Sequence, residues 1–332
     1  MMYTLLLTKK EVESLLSMGE AMKVVETAFI ERGLGFAQMP PKIYLSYSKY
    51  NGDLRAMPSY LERLEISAVK VVNSHSENQS KYNLPSVMAI IVLIDPKNGA
   101  PLAIMDGTWI TAIRTGAAGG LAAKYLARKD SKKVGLIGAG AQAKTQLLAL
   151  MTLYGKLDLV KVWSRTRESR ENFVYEAKMT YEEIPQIIAV ENVEDAAKEV
   201  DIIVTTTPSR TPLVFDKWIS EGTHFNCIGA DAPGKEELDP AILRRAKIVV
   251  DDWEQASHSG EINVPLAQGL ISKKDIWGDI CEIAAGLKQG RTSESEITVF
   301  ASTGLAIQDA IIAKLVYDKA LTKKIGQTTE MF

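Results

Sequence analysis

Three cations and one acid stand in surroundings that make them candidates for chemistry. Lys70 interrupts the apolar run Ser67-Ala68-Val69-Lys70-Val71-Val72. In a buried strand, desolvation would lower its pKa and prepare it for proton transfer. The plain alternative is an edge-strand lysine whose head reaches water. Arg55 (in Gly52-Asp53-Leu54-Arg55-Ala56-Met57-Pro58) and Arg114 (in Ile110-Thr111-Ala112-Ile113-Arg114-Thr115-Gly116) could clamp a carboxylate or be ordinary surface arginines. Asp231, in Ile228-Gly229-Ala230-Asp231-Ala232-Pro233-Gly234, either handles a proton or caps the Pro-Gly turn.

A fifth pattern supplies a partner for that chemistry. Val134-Gly135-Leu136-Ile137 runs into Gly138-Ala139-Gly140-Ala141-Gln142-Ala143, a G-x-G-x-x-A between a strand and a helix. Gly138 permits the tight turn and Gly140 lets the backbone approach a pyrophosphate. Ala143 is small enough for helix–strand packing, and helix N-terminal amides face the anion. The pattern points to a dinucleotide; the alternative is a structural turn of any α/β protein. For NAD, an acid should close the second strand. Here Val162-Trp163 leads into Ser164-Arg165-Thr166-Arg167. Guanidinium and hydroxyl groups suit a 2′-phosphate, so NADP is expected over NAD, the alternative being a solvated basic loop.

Other chemistries find no support. His75, His224 and His258 lack ligand partners at metal-binding spacing, so no metal is expected. Cys227 reads as a strand core residue and Cys281 as a helix core residue, and two cysteines make no disulfide framework. No Gly-x-Ser-x-Gly elbow supports acyl transfer. Lys and Arg total 39 against 41 Asp and Glu, a net charge of −2 with no basic stripe, which argues against nucleic acid. The longest apolar run, 87–94, is far below the roughly 20 residues of a membrane span. A cytoplasmic protein of about two domains is expected from 332 residues.

The elements that must position these residues change character along the chain. The first 35 residues read as helical, with capping boxes at Thr8/Glu11 and Ser17/Glu20 and an end at Gly33 and Gly35. Strand patterns follow at 43–47, 67–73, 87–94 and 102–105, close enough for an antiparallel or mixed sheet. A helix spans 108–127. Strands at 134–137, 159–163, 187–190, 202–205, 224–228 and 248–250 then alternate with helices, the rhythm of a parallel sheet. A last helix covers about 304–321. The expected fold is α/β: an α+β domain of 1–127 with 305–332, and a Rossmann-type domain of 128–304.

These motifs, in order, resemble the ornithine cyclodeaminase/mu-crystallin family from end to end. The marks are Gln38-Met39-Pro40-Pro41-Lys42, the Arg55 motif, Lys70 with Asn73-Ser74-His75, Leu84-Pro85-Ser86-Val87 and Arg114-Thr115-Gly116-Ala117-Ala118. To these add Thr205-Thr206-Thr207-Pro208-Ser209, Ile228-Gly229-Ala230-Asp231, Gly260-Glu261-Ile262 and Ser302-Thr303-Gly304-Leu305-Ala306-Ile307-Gln308-Asp309. Within the family the wording is similar to the archaeal alanine dehydrogenases. The resemblance implies a homodimer built on the α+β domain, with the active site between that sheet and the Rossmann domain. It implies Lys70 and Asp231 as catalytic residues, Lys42, Arg55 and Arg114 as substrate contacts, and Arg114 also near the cofactor. Ala141, Gln142, Ser164, Arg165, Thr166, Thr206, Ile228 and Ser302 join Gly138 and Gly140 as implied cofactor positions.

Two departures direct the choice within the family. Ornithine cyclodeaminases carry a glutamate where this chain has Arg55, which suits a carboxylate and argues against ornithine. Mu-crystallin-like members lack the catalytic aspartate, which Asp231 supplies here. The expected activity is an NAD(P)-dependent amino-acid dehydrogenase, with L-alanine and pyruvate as default. Reduction of a cyclic ketimine such as Δ1-pyrroline-2-carboxylate is the first alternative. Ornithine cyclodeamination and non-catalytic NADPH binding follow.

Overall fold

A computed structural model describes residues 3–331. Its contacts divide the chain into two compact units, one running to Arg114 and resuming at Leu305, the other Thr115–Gly304. The first division falls within the continuous helix Thr108–Leu126, whose end is the boundary expected from sequence.

The first unit is built on a mixed sheet. Its strand order is Gln327–Glu330, Tyr3–Leu7, Pro101–Asp106, Val87–Ile94, Ile66–His75, Gly52–Leu61 and Ala37–Gln38, with Ile43–Tyr47 also paired to Gly52–Leu61. All neighbours are antiparallel except Tyr3–Leu7 with Pro101–Asp106. Tyr3–Leu7 corrects the helical reading of the first 35 residues: five residues, with Thr4, Leu5 and Leu7 buried, find partners on both sides, one of them at the far end of the chain. The helices Lys9–Leu15 and Met18–Gly33 then follow, both opened by the expected capping boxes. One sheet face carries Met57, Leu61, Ile66, Ala68, Val72, Ala89, Ile91 and Leu93, all buried, and the helix Ala306–Lys323 lies on its central strands. The opposite face is apolar yet exposed at Ile43, Leu45 and Ile90.

The second unit is an eight-stranded parallel sheet. Its order is Gln186–Ala189, Leu159–Trp163, Lys133–Ile137, Ile202–Thr205, His224–Cys227, Ile297–Ala301, Ala246–Val250 and Ile276–Asp279. The order reverses between Lys133–Ile137 and Ile202–Thr205, and such a reversal opens a crevice at the carboxyl ends of the strands. The strands Ile276–Asp279 and Ile297–Ala301, and a small parallel pair of Arg210–Val214 with Glu236–Leu238, add to those expected. Both cysteines are buried and free. No described helix is long and apolar enough to cross a membrane.

Candidate active site

In the first unit the buried sheet face gathers charge. Lys70 faces Met57 on one neighbouring strand and Ile91 on the other, so its strand is interior and the edge-lysine alternative falls. Its side chain is 0% exposed and its Nζ lies 2.7 Å from Asp309 Oδ2. Beyond this ion pair the ammonium has no hydrogen-bond partner among the described residues. Asp309 Oδ1 also lies 3.3 Å from Arg114 Nε, and Arg114 Nη1 donates to Gln308 Oε1 at 3.0 Å. Burial first, then the Arg114 guanidinium, brings the Lys70 ammonium down to about 7, Lys42 adding to the fall and Asp309 opposing it. Such a group holds and releases a proton near neutral pH.

Arg55 sits on the same face, two positions along its strand from Met57. Asp53, two residues before it, accepts from Nε at 3.2 Å and from Nη2 at 3.0 Å. The guanidinium carbon lies 5.4 Å from the centre of the Tyr44 ring. Side-chain exposures of 12% for Arg55 and 7% for Arg114 overturn the surface-arginine alternative for both. Lys42 is half-buried on the approach to the strand Ile43–Tyr47.

In the second unit the glycine loop sits at the strand-order reversal. Gly138 has φ +118°, and a Cβ there would lie 2.3 Å from Thr206 Oγ1, so only glycine fits. The Thr206 amide donates to Ile137 O at 2.9 Å, which brings two expected cofactor positions side by side. Gly140 caps the helix Ala141–Tyr154 without a side-chain hydrogen bond, and a Cβ on it would meet nothing within 4 Å. That open backbone, followed by the free first-turn amides of a 14-residue helix, fits a pyrophosphate. Ala143 is fully buried. On the next strand, Ser164 Oγ donates to Thr166 O at 3.0 Å and Thr166 Oγ1 accepts from Ser169 N at 3.3 Å. Arg165 is exposed, whereas Arg167 pairs with Glu171 and Arg170 donates to Ser164 O at 3.2 Å.

Ile228, Asp231 and Ser302 follow the carboxyl ends of the strands His224–Cys227 and Ile297–Ala301. Asp231 Oδ1 pairs with Lys235 Nζ at 2.6 Å. The amide of Gly234 in the following turn is bound by Asn263 Oδ1 at 2.9 Å. Beneath these loops, Glu237 accepts from Thr207 N and Oγ1, both at 2.7 Å, and from Gly229 N at 3.1 Å. Burial raises Glu237 to about 7.

Sequence reasoning singled out neither Asp309 nor Glu237 as functional. Asp309 stands in the first turn of its helix, where an acid reads as complementing the helix dipole. Its flanks, Ile307, Ala310 and Ile311, carried the signal used for Lys70: a charge on an apolar stripe. Among the described residues no cluster suited to a metal ion occurs.

The model of the ornithine cyclodeaminase/mu-crystallin family matches residues 2–324. This chain belongs to the ornithine cyclodeaminase/mu-crystallin family. Among curated members it is 52% identical over 331 residues to the alanine dehydrogenase of Archaeoglobus fulgidus, covering 100% of this chain and 99% of that protein. It is 35% identical over 328 residues to a Δ1-pyrroline-2-carboxylate reductase of Bacillus cereus, covering 98% and 99%. Among solved members, an archaeal alanine dehydrogenase dimer with bound NAD superposes with a TM-score of 0.95 at 51% identity, over 100% of both chains. The Δ1-pyrroline-2-carboxylate reductase of Thermococcus litoralis, in complex with NADH and L-proline, gives 0.94 at 45% identity, over 98% and 99%.

Proposed function

We propose that this chain is an NAD(P)-dependent amino-acid dehydrogenase that interconverts L-alanine and water with pyruvate and ammonia. The observation that carries this reading is the placing of Arg55 and buried Lys70 on one sheet face, in a chain 52% identical end to end to an alanine dehydrogenase. Arg55 and Lys42 hold the substrate carboxylate. Asp53 binds Nε and Nη2 of Arg55 and so orients its guanidinium. Arg114 contributes to the same positive field. By family likeness, Lys70 and Asp231 move the protons of carbinolamine formation and water loss. Orientation and preorganised charge supply most of the protein's contribution.

The second unit would hold the dinucleotide through Gly138, Gly140, Ala141 and Gln142, with Thr206, Ile228 and Ser302 as further contacts; the family likeness adds Arg114 as a cofactor contact. A dinucleotide held there would supply hydride acceptor and donor chemistry at the substrate Cα. Ser164, Arg165 and Thr166 take a 2′-phosphate, so NADP is preferred to NAD. The first unit pairs with a second copy through its exposed apolar face: Ile43, Ala56, Val71 and Ile90 lie in one cross-strand row of it. Free thiols at Cys227 and Cys281 suit the cytoplasm.

A second reading, reduction of Δ1-pyrroline-2-carboxylate to proline, draws on the likeness to the Thermococcus litoralis reductase. It needs the same clamp and proton donor but starts from a preformed imine. Oxidative turnover separates the two: reduction of NADP+ with L-alanine and none with L-proline supports the dehydrogenase. Turnover with L-proline alone transfers the site to the reductase.

A further inference from the structure

Asp309 is tied to no reaction by anything above, yet it touches both buried cations. Lys70 and Arg114 come from a strand and a helix of the first unit, and the last helix brings Asp309 between them, at 2.7 and 3.3 Å. All three side chains are at most 7% exposed. Two cations and one carboxylate leave the cluster with one net positive charge when Lys70 is protonated, and none when it is not. A single charge shut away from water is costly unless an opposite charge joins it.

We propose that Asp309 is a positioning residue that sets the protonation of Lys70, so that the cluster takes up a proton as it takes up a substrate monocarboxylate. This rests on the reading of Lys70 as the proton carrier. Protonated Lys70, Arg114, Asp309 and one substrate carboxylate sum to zero. An entering carboxylate adds a negative charge to the field around Lys70 and so favours its protonated form, as Asp309 does. Substrate binding and proton uptake are therefore linked, and each favours the other by the same factor. Of the remaining groups around Lys70, one adds a cation outside this count. Lys42 is close enough to depress the ammonium. On the strand Gly52–Leu61, Arg55 is already matched by Asp53. On the strand Val87–Ile94, the facing residues Ala89 and Ile91 carry no charge.

The test compares wild type with Asp309→Asn and Arg114→Gln in two ways. The first is the pH profile of kcat/KM in both directions. Wild type should lose pyruvate reduction as pH rises through the Lys70 pKa, because the acid form is consumed, and should gain alanine oxidation over the same range. Asp309→Asn removes the anion that favours the ammonium, so both limbs should move at least one unit to lower pH, a tenfold change in rate at fixed pH on the limb. Arg114→Gln removes a repelling cation, and the limbs should move up. Opposite directions from neighbouring residues are not produced by loss of packing. The second is calorimetry of oxamate binding to the nucleotide complex in buffers of different ionisation heat. Wild type should take up close to one proton at pH 8, and Asp309→Asn less than half of one.

Limbs that stay in place in both variants, or oxamate binding without proton uptake in wild type, overturn the proposal while leaving the dehydrogenase reading intact. A wild-type protein with no turnover of alanine or pyruvate overturns the reading itself. Should Asp309→Asn not fold, Asp309→Glu with Arg114→Gln carries the same comparison, Glu keeping the limb near the wild-type position.

Discussion

Lys70 is the most exacting test of the buried cluster, because its burial makes a thermodynamic claim independent of catalysis. The unfolded lysine titrates near 10.5, whereas in the folded chain burial and Arg114 bring it to about 7. Between these values the unfolded state binds more protons, so stability rises with pH. Below pH 7 both states are protonated and the slope vanishes. From pH 7 to 9 the native lysine gives up its remaining half proton while the unfolded one stays charged. Integrating that difference at roughly 1.4 kcal/mol per unit gives about 2 kcal/mol of stability gained. Lys70→Met removes the term. Urea unfolding of wild type and Lys70→Met at pH 7, 8 and 9, followed as the change in their difference, should show the wild type gaining about 2 kcal/mol on the variant. Other titrating groups are common to both proteins and cancel. A difference that stays flat within about 0.5 kcal/mol, a quarter of the gain expected from linkage, would mean that Lys70 keeps an ordinary pKa and that its burial is misjudged.

Arg55→Met should raise the KM for pyruvate by roughly 10- to 100-fold, the range of a charge-assisted hydrogen bond, while the KM for the nucleotide changes little; steady-state kinetics with each substrate varied in turn will show it. Arg165→Ser should lower kcat/KM with NADPH by about tenfold or more and leave NADH within a factor of two, read from the ratio of the two nucleotides. His224 is fully buried between Thr298 Oγ1 at 2.9 Å and Asn226 Oδ1 at 3.1 Å, and burial holds it near 3 against 6.5 when free. Its contribution is therefore complete above pH 6.5 and is lost as pH falls toward 3, about 2 kcal/mol of it by pH 5. His224→Gln should lack that part of the acid slope in urea titrations from pH 7 to 5.

The sequence was most legible where local pattern and chemistry coincide. The cradle at Gly138 could be read because a strand, a turn and a helix flank it within a dozen residues, and Gly138 takes the positive φ that the tight turn requires. Lys70 stood out as a charge in an apolar run, but whether its strand lay at an edge or inside depended on the pairing of Ile66–His75 with Gly52–Leu61 and Val87–Ile94. Asp309 is 239 positions from Lys70, and nothing local announces that the last helix crosses that strand. The strands Tyr3–Leu7 and Gln327–Glu330 were hidden for the same reason: each is short, and they pair with one another across the length of the chain. By contrast, the Asp53–Arg55 pairing was within reach, since residues two apart on a strand share a face. It went unread because the arginine was judged for a ligand before its own neighbours.

The most direct test of the central claim is to follow NADPH oxidation with pyruvate and 15N-ammonium, and to identify the product by NMR. The account predicts ammonium-dependent oxidation with one 15N-labelled L-alanine formed per NADPH consumed. Oxidation that proceeds without ammonium to give lactate, or no oxidation with either nucleotide, would contradict it.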